Sequence, residues 1–263
     1  MKEITGIGEV HQILLGIAKE FDRICRENNI RYMMLGGSMI GAIRHKGFIP
    51  WDDDMDFGVL REDYDKLKSL LLSDLQAPYR LRSIDNTKSL VDDFFKIEDT
   101  RTMIKLRFWE ENDDTIGINV DVFPLDYTTP SIGRFSRNNL IYHLVKIQDY
   151  RFFTGELDSV SKKIIRKFIQ VFLPFIGRKS ISTFITKILP KEGPCLMNIF
   201  GVYELKEVMP KEFFLPAKEY NFEGTFFMGV NDYDRYLRNV YGDYMKLPPE
   251  EKRHYHISNV FMK

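Results

Sequence analysis

Asp54 and Asp56 stand one residue apart within Leu35–Leu60, LGGSMIGAIRHKGFIPWDDDMDFGVL. In an extended chain that spacing sends both carboxylates to one face, while Met55 and Phe57 turn toward a core. Convergent carboxylates suit a hard divalent cation. Mg²⁺ (or Mn²⁺) takes oxygen ligands and shares its shell between one or two carboxylates and substrate phosphates, so the pair describes half of a site for metal-assisted chemistry on a phosphate. The turn formed by Gly36, Gly37 and Ser38 offers the other half. Its glycines carry no side chain to obstruct a phosphate, and Ser38 is expected to cap a following helix whose free N–H groups favour anions. Pro50 disfavours helix at Ile49, so the acidic run is expected to begin extended.

An acidic run taken alone also describes a solvated surface. A calcium loop is excluded by counting: with Asp52, Asp54 and Asp56 at its first, third and fifth positions, Phe57 falls where a glycine must stand and Asp63 where the closing glutamate must. A second acidic strand strengthens the metal reading. Ile116–Phe123, IGINVDVF, puts Ile118, Val120 and Val122 on one face and Asn119 and Asp121 on the other. Asp121 is then a third carboxylate, either a ligand shared by two metals or a base for an attacking hydroxyl, provided its strand lies beside the first. The alternative is an ordinary polar residue on a half-exposed strand.

These segments, GGSMIGAIRHKGFIPWDDDMDFGVLREDYDKL, then NVDVFPLD, then YGDYMKLPPEEKRHYH, occur in an order that resembles the LicD family. That family is related in its core to the nucleotidyltransferase fold and includes bacterial phosphocholine transferases and the fukutin-related ribitol-phosphate transferases. The resemblance covers about residues 30–126 and, less specifically, 220–256. It implies that Asp54, Asp56 and Asp121 are the metal-binding and catalytic acids. By the same resemblance Gly37 and Ser38, next to Gly36, match the phosphate-facing turn, and Arg44, His45, Lys46, Trp51 and Asp52 belong to hallmark elements near the donor. The tail resembles a closing element over the site, which makes Arg253, His254 and His256 candidates to approach the donor. The implied reaction transfers a phosphoryl-linked alcohol, phosphocholine or alditol phosphate, from a CDP-linked donor to a glycan or lipid-linked glycan hydroxyl and releases CMP.

Such a transfer depends on alignment and on neutralising charge at the phosphate oxygens. Arg44 could grip a diphosphate bidentately and Lys46 could act on it as a point charge; the alternative for each is satisfying carbonyls at the end of a short helix. His45 could orient a phosphate or serve as an acid, or simply pack. Lys96, in FFKIED, is a further candidate for the donor phosphate, or else an outward-facing strand lysine.

The elements that must position these residues are legible in the apolar periodicity. Val10, Ile13, Leu14, Ile17, Phe21 and Ile24 predict a helix over 9–28, followed by a strand over 30–34 and a helix over 61–72. Strands are expected over 79–84, 94–98, 102–109 and 116–123. The fold class is therefore α+β: a nucleotidyltransferase-like mixed sheet flanked by helices. Residues 1–130 are expected to form the catalytic core. A helical insertion should occupy 131–192, with helices over 135–153, 159–173 and 178–189. Residues 193–263 should pack back on the core, with Phe213 and Phe214 in a short strand, an amphipathic helix near 233–241, and Pro248 and Pro249 stopping any helix.

A chain of 263 residues with 44% hydrophobic content can bury a sizeable core, and its net charge of zero gives no general case for nucleic acid. Cys25 and Cys195 are too few for a disulfide framework or a zinc site. The start MKEITGIGEV has no secretory apolar run, which predicts a cytoplasmic protein. Residues 161–191 carry eight Lys or Arg and no acid. With Phe168, Phe172 and Phe175 this segment suits peripheral contact with the inner face of the plasma membrane, although a core helix with a solvated basic face has the same pattern. Rival readings are a nucleotidyltransferase acting on a small-molecule acceptor and a non-catalytic nucleotide-binding protein on the same fold.

Overall fold

The structure is a computed structural model that describes residues 1–87, 94–104, 116–135, 164, 167, 171, 187, 189–253 and 260–263. A short strand β1 (Lys2–Ile4) leads into helix α1 (Ile7–Glu27). Val10, Leu14, Ile17, Phe21 and Ile24 recur at helical spacing along α1 and are all buried. Strand β2 (Tyr32–Met34) runs into the short helix α2 (Gly36–Ile40) and a wider turn over Gly41–His45. Then come β3 (Asp56–Leu60), α3 (Arg61–Asp74), β4 (Tyr79–Arg82), β5 (Phe95–Asp99), β6 (Thr102–Ile104), β7 (Asn119–Thr128) and α4 (Pro130–Phe135). The C-terminal part supplies β8 (Cys195–Asn198), β9 (Val208–Pro210), α5 (Lys211–Phe214), β10 (Lys218–Phe222), β11 (Thr225–Gly229), α6 (Tyr233–Tyr241) and β12 (Val260–Met262).

The main sheet runs β10-β11-β2-β3-β7-β5-β4, with β8 pairing the far end of β7 and β9 pairing β8. It is mixed. β3 is parallel to β7, β11 is parallel to β2, and the other pairings are antiparallel. A smaller sheet joins β1, β12 and β6. The core lies where α1 and α3 cover the main sheet: Phe21, Tyr32 and Phe57 meet edge-on or tilted with ring centroids 4.7–5.5 Å apart. At the end of β7 the buried Asp126 accepts two hydrogen bonds from Arg61, 2.7 and 2.9 Å, which fixes the start of α3 on the sheet. The architecture is thus α+β, a mixed sheet flanked by helices.

Several boundaries differ from the pattern read in the sequence. Ile30 precedes its strand, and the second acidic strand begins at Asn119 and continues to Thr128. That extension crosses Pro124, which is tolerated in the strand where β7 changes partner from β5 to β8. Phe213 and Phe214 are not in a strand. They close the single helical turn α5, where Phe214 buries its ring against Tyr236 at 5.5 Å; aromatic β-propensity is overridden by this packing. The expected helices over 135–153, 159–173 and 178–189, the end of the expected strand over 102–109, and most of the basic segment 161–191 lie outside the described residues.

Candidate active site

The acidic cluster is built on β3, β7 and the loop before β3. A turn closes over Ile49–Asp52, with the Asp52 N–H donating to the Ile49 carbonyl at 2.9 Å, so the run does not begin fully extended after Pro50. From there the chain straightens. Asp53, Met55 and Phe57 are buried, whereas Asp54 is exposed and Asp56 half-buried: the alternation expected of an extended chain. Asp56 opens β3 and is in register with Asp121 on the parallel strand β7. Asp121 is also in register with Lys96 on β5. The Lys96 ammonium donates to both Asp121 oxygens, at 2.5 and 2.7 Å, and is bound to this carboxylate rather than open to a phosphate.

The glycine turn lies directly against these acids. Gly36 adopts φ +51°, and a Cβ there would stand 3.4 Å from Asp56 Oδ2 and 3.3 Å from the Tyr241 hydroxyl. Ser38 is not a helix cap. It lies inside α2, whose N-cap is Leu35, and its Oγ instead accepts the Asp56 N–H at 2.8 Å, tying the turn to the first residue of β3. The Gly36 N–H is taken by the Tyr236 hydroxyl at 3.0 Å.

Burial and mutual repulsion govern the charges here. Burial, then Asp54 and Asp121, push the Asp56 carboxyl well above the ordinary range, with Lys96 pulling the other way. Burial, then Asp54 and Asp53, lift Asp52 to about 8, against the pull of Arg44. Asp52, Asp53 and Asp54 each offer an oxygen within 4.8 Å of one another. An all-oxygen donor set crowded in this way fits a hard divalent cation, which would relieve the repulsion that raises Asp52 and Asp56.

A basic and aromatic rim flanks the acids. Arg44 donates to the Tyr244 carbonyl at 2.6 Å, and burial followed by the nearby Arg253 lowers its pKa, with Asp52 opposing. Arg253 sits over the Trp51 ring, 5.0 Å from its centroid, and Trp51 meets His45 edge-on at 6.2 Å. Burial and Arg44 push the His45 pKa down and keep the imidazole neutral near pH 7. Lys46 stands apart. Its side chain is exposed, and its left-handed backbone, φ 61°, lets its carbonyl accept the Glu223 N–H at 2.9 Å, so it closes the turn against the β10–β11 hairpin. His254 and His256 lie outside the described residues.

Sequence reasoning missed three groups. Asp53 was not singled out, yet it joins the acidic cluster while only 1% exposed. His11 places Nε2 2.7 Å from the Asp52 carbonyl and stacks on Phe48 at 4.2 Å; its position on the site side of α1 gave no signal beyond helical spacing. Tyr203, Tyr236 and Tyr241 form a phenolic wall, with Tyr203 and Tyr241 edge-on at 4.9 Å. Burial raises the pKa of all three, and Asp56 adds to the rise in each.

Comparison with known proteins identifies the chain's relatives. Residues 29–132 match the family described as LicD/FKTN/FKRP, nucleotidyltransferase domain. Over its full length the chain is 30% identical to the whole of the lipopolysaccharide cholinephosphotransferase LicD of Haemophilus influenzae. Ribitol 5-phosphate transferase FKRP of human and of mouse is 35% identical over 69 residues, 26% of this chain and 14% of that protein. With an end-to-end match to one member and the family's domain lying over the acidic cluster, the chain belongs to the LicD family.

Proposed function

We propose that this protein is a metal-dependent transferase that moves a phosphoryl-linked alcohol, phosphocholine or an alditol phosphate, from a CDP-linked donor to a hydroxyl of a cell-surface glycan or its lipid-linked precursor, with CMP as the second product. The observation that carries the reading is the row of Asp56, Asp121 and Lys96 on neighbouring strands, set against the bare backbone of Gly36 and Gly37, in a chain of this family. Asp54, Asp56 and Asp121 would hold Mg²⁺ or Mn²⁺, with Asp52 and Asp53 beside them. The ion, when bound, supplies charge neutralisation on the phosphate oxygens. Ser38 holds Asp56 in place through its backbone, and Tyr236 holds the glycine turn open by occupying the Gly36 N–H. Arg44 and Arg253 bring positive charge to the rim at Trp51, suited to a nucleoside diphosphate.

Among the described residues no helix is long and apolar enough to cross a membrane. Cys25 and Cys195 are both free and buried, which supports placing the reaction in a reducing cytoplasm. The deciding experiment is Mg²⁺-dependent calorimetric binding of CDP-choline, CDP-ribitol, CDP-glycerol, CTP and ATP to the wild type and to Asp56→Asn. Metal-dependent binding of one CDP-alcohol, lost in the variant, is the expected result. Preference for CTP or ATP would move the protein to nucleotide transfer, and no binding of any nucleotide would leave a non-catalytic role.

A further inference from the structure

We infer that the Lys96 ammonium permanently fills one of the two cation positions that this acidic site could offer, so that the protein takes one divalent ion and not two. The inference rests on the metal-dependent reading above. Asp121 is the middle of a three-strand row, with Asp56 beside it on β3 and Lys96 beside it on β5. Neighbouring strands stand about 4.8 Å apart, so one carboxylate serves both sides. A two-metal centre needs such a carboxylate to bridge ions roughly 3.5–4 Å apart. On the β5 side of Asp121 that position is taken, because Lys96 Nζ lies 2.5 and 2.7 Å from the two oxygens.

The lysine is built into this place from two directions. Backbone pairing of β5 with β7 fixes its Cα opposite Asp121, and the Phe94 ring lies beneath its ammonium, 4.8 Å from centroid to Nζ. The pair is well enclosed, with side chains 18% and 22% exposed. A carboxylate has about four lone-pair directions, so Asp121 keeps acceptors facing Asp56 for a single ion. Lys96 already offsets the charge of Asp121, and a second divalent ion on that side of the carboxylate would meet the ammonium within this enclosed row. Lys96 is therefore a charge-balancing residue of the metal site, and its place on Asp121 is the reason it does not reach for the donor phosphate.

Mn²⁺ is the probe, followed by calorimetry and electron paramagnetic resonance on the full chain. The wild type is expected to bind one Mn²⁺, lost in Asp56→Asn, with a spectrum free of spin coupling. Lys96→Met removes the charge at similar length and is expected to raise the stoichiometry to two, with the dipolar broadening of neighbouring Mn²⁺ ions, while Lys96→Arg stays at one. Lys96→Gln serves as a second neutral variant if the methionine form does not fold. Two Mn²⁺ in the wild type, or a folded neutral variant that still takes one, overturns the inference and leaves the metal-dependent reading standing. No Mn²⁺ bound by the wild type, with or without a CDP-alcohol, removes that reading itself.

Discussion

Gly37 and Asp52 are in such close approach that a Cβ on the glycine would stand 2.7 Å from the Asp52 Oδ2. Gly37→Ala must therefore displace the carboxyl that shares a hydrogen bond with Asp54 and feels the charge of Arg44. A shift of about 1 Å at such a position is enough to cost on the order of 100-fold in turnover. Transfer assays paired with thermal melts should show that loss with a stability change of less than about 1 kcal/mol, since the displaced carboxyl belongs to the acid cluster and not to the apolar core.

Asp56→Asn tests the metal directly. The Ser38 contact uses the Asp56 backbone, so it survives the substitution, and removing one of several crowded acids relieves repulsion in the metal-free protein. The expected outcome is transfer reduced at least about 100-fold, Mg²⁺ protection against thermal unfolding abolished, and a metal-free melting temperature equal to or above that of the wild type. A variant with near-normal turnover and normal Mg²⁺ dependence would sink the site assignment.

Ser38→Ala separates position from charge. Its loss leaves the Asp56 N–H without its 2.8 Å acceptor, which costs about 1–2 kcal/mol of stability for a partly buried donor. Turnover should fall more steeply than stability because Asp56 moves; equal losses in denaturant midpoint and in activity per folded molecule would argue against that coupling.

The metal-free protein should lose stability as pH rises. Asp52, lifted to about 8, and Asp56, lifted well above the ordinary range, hold protons in the folded chain that the unfolded chain has released above about pH 4. The folded state thus binds more protons, and unfolding free energy falls with pH by up to about 1.4 kcal/mol per unit for each such proton, through the window from about 4 to 8 for Asp52. Divalent ions compete with those protons, so Mg²⁺ affinity and Mg²⁺ stabilisation should both increase over the same window. Melts at pH 5, 6, 7 and 8 with and without Mg²⁺ check this, and a pH-independent Mg²⁺ effect would contradict it.

What could be read from the sequence follows from the range of each signal. The alternation at Ile118, Val120 and Val122 placed Asp121 on the polar face of β7, and helical spacing located the first helix and the one over Tyr233–Tyr241, because these patterns are local. Ser38 was misread because its partner is 18 residues away and depends on how α2 meets β3. The same holds for Lys96, whose partner Asp121 is set by strand order and not by spacing in the chain. The phenolic wall was invisible for a third reason. Tyr236 and Tyr241 share α6 while Tyr203 lies well before it in the chain, and nothing in their own neighbourhoods distinguishes them from core aromatics.

The contacts of Gly36 with Tyr236 and of Arg44 with Tyr244 each span 200 residues. On a ribosome adding about 5–20 residues per second, the glycine turn is made roughly 10–40 s before its tyrosine exists. For that interval the nascent chain carries the loop of aspartates without the helix that closes it. A product that ends before α6 is expected to hold the acids without the Tyr236 and Tyr241 hydroxyls that flank the glycine turn.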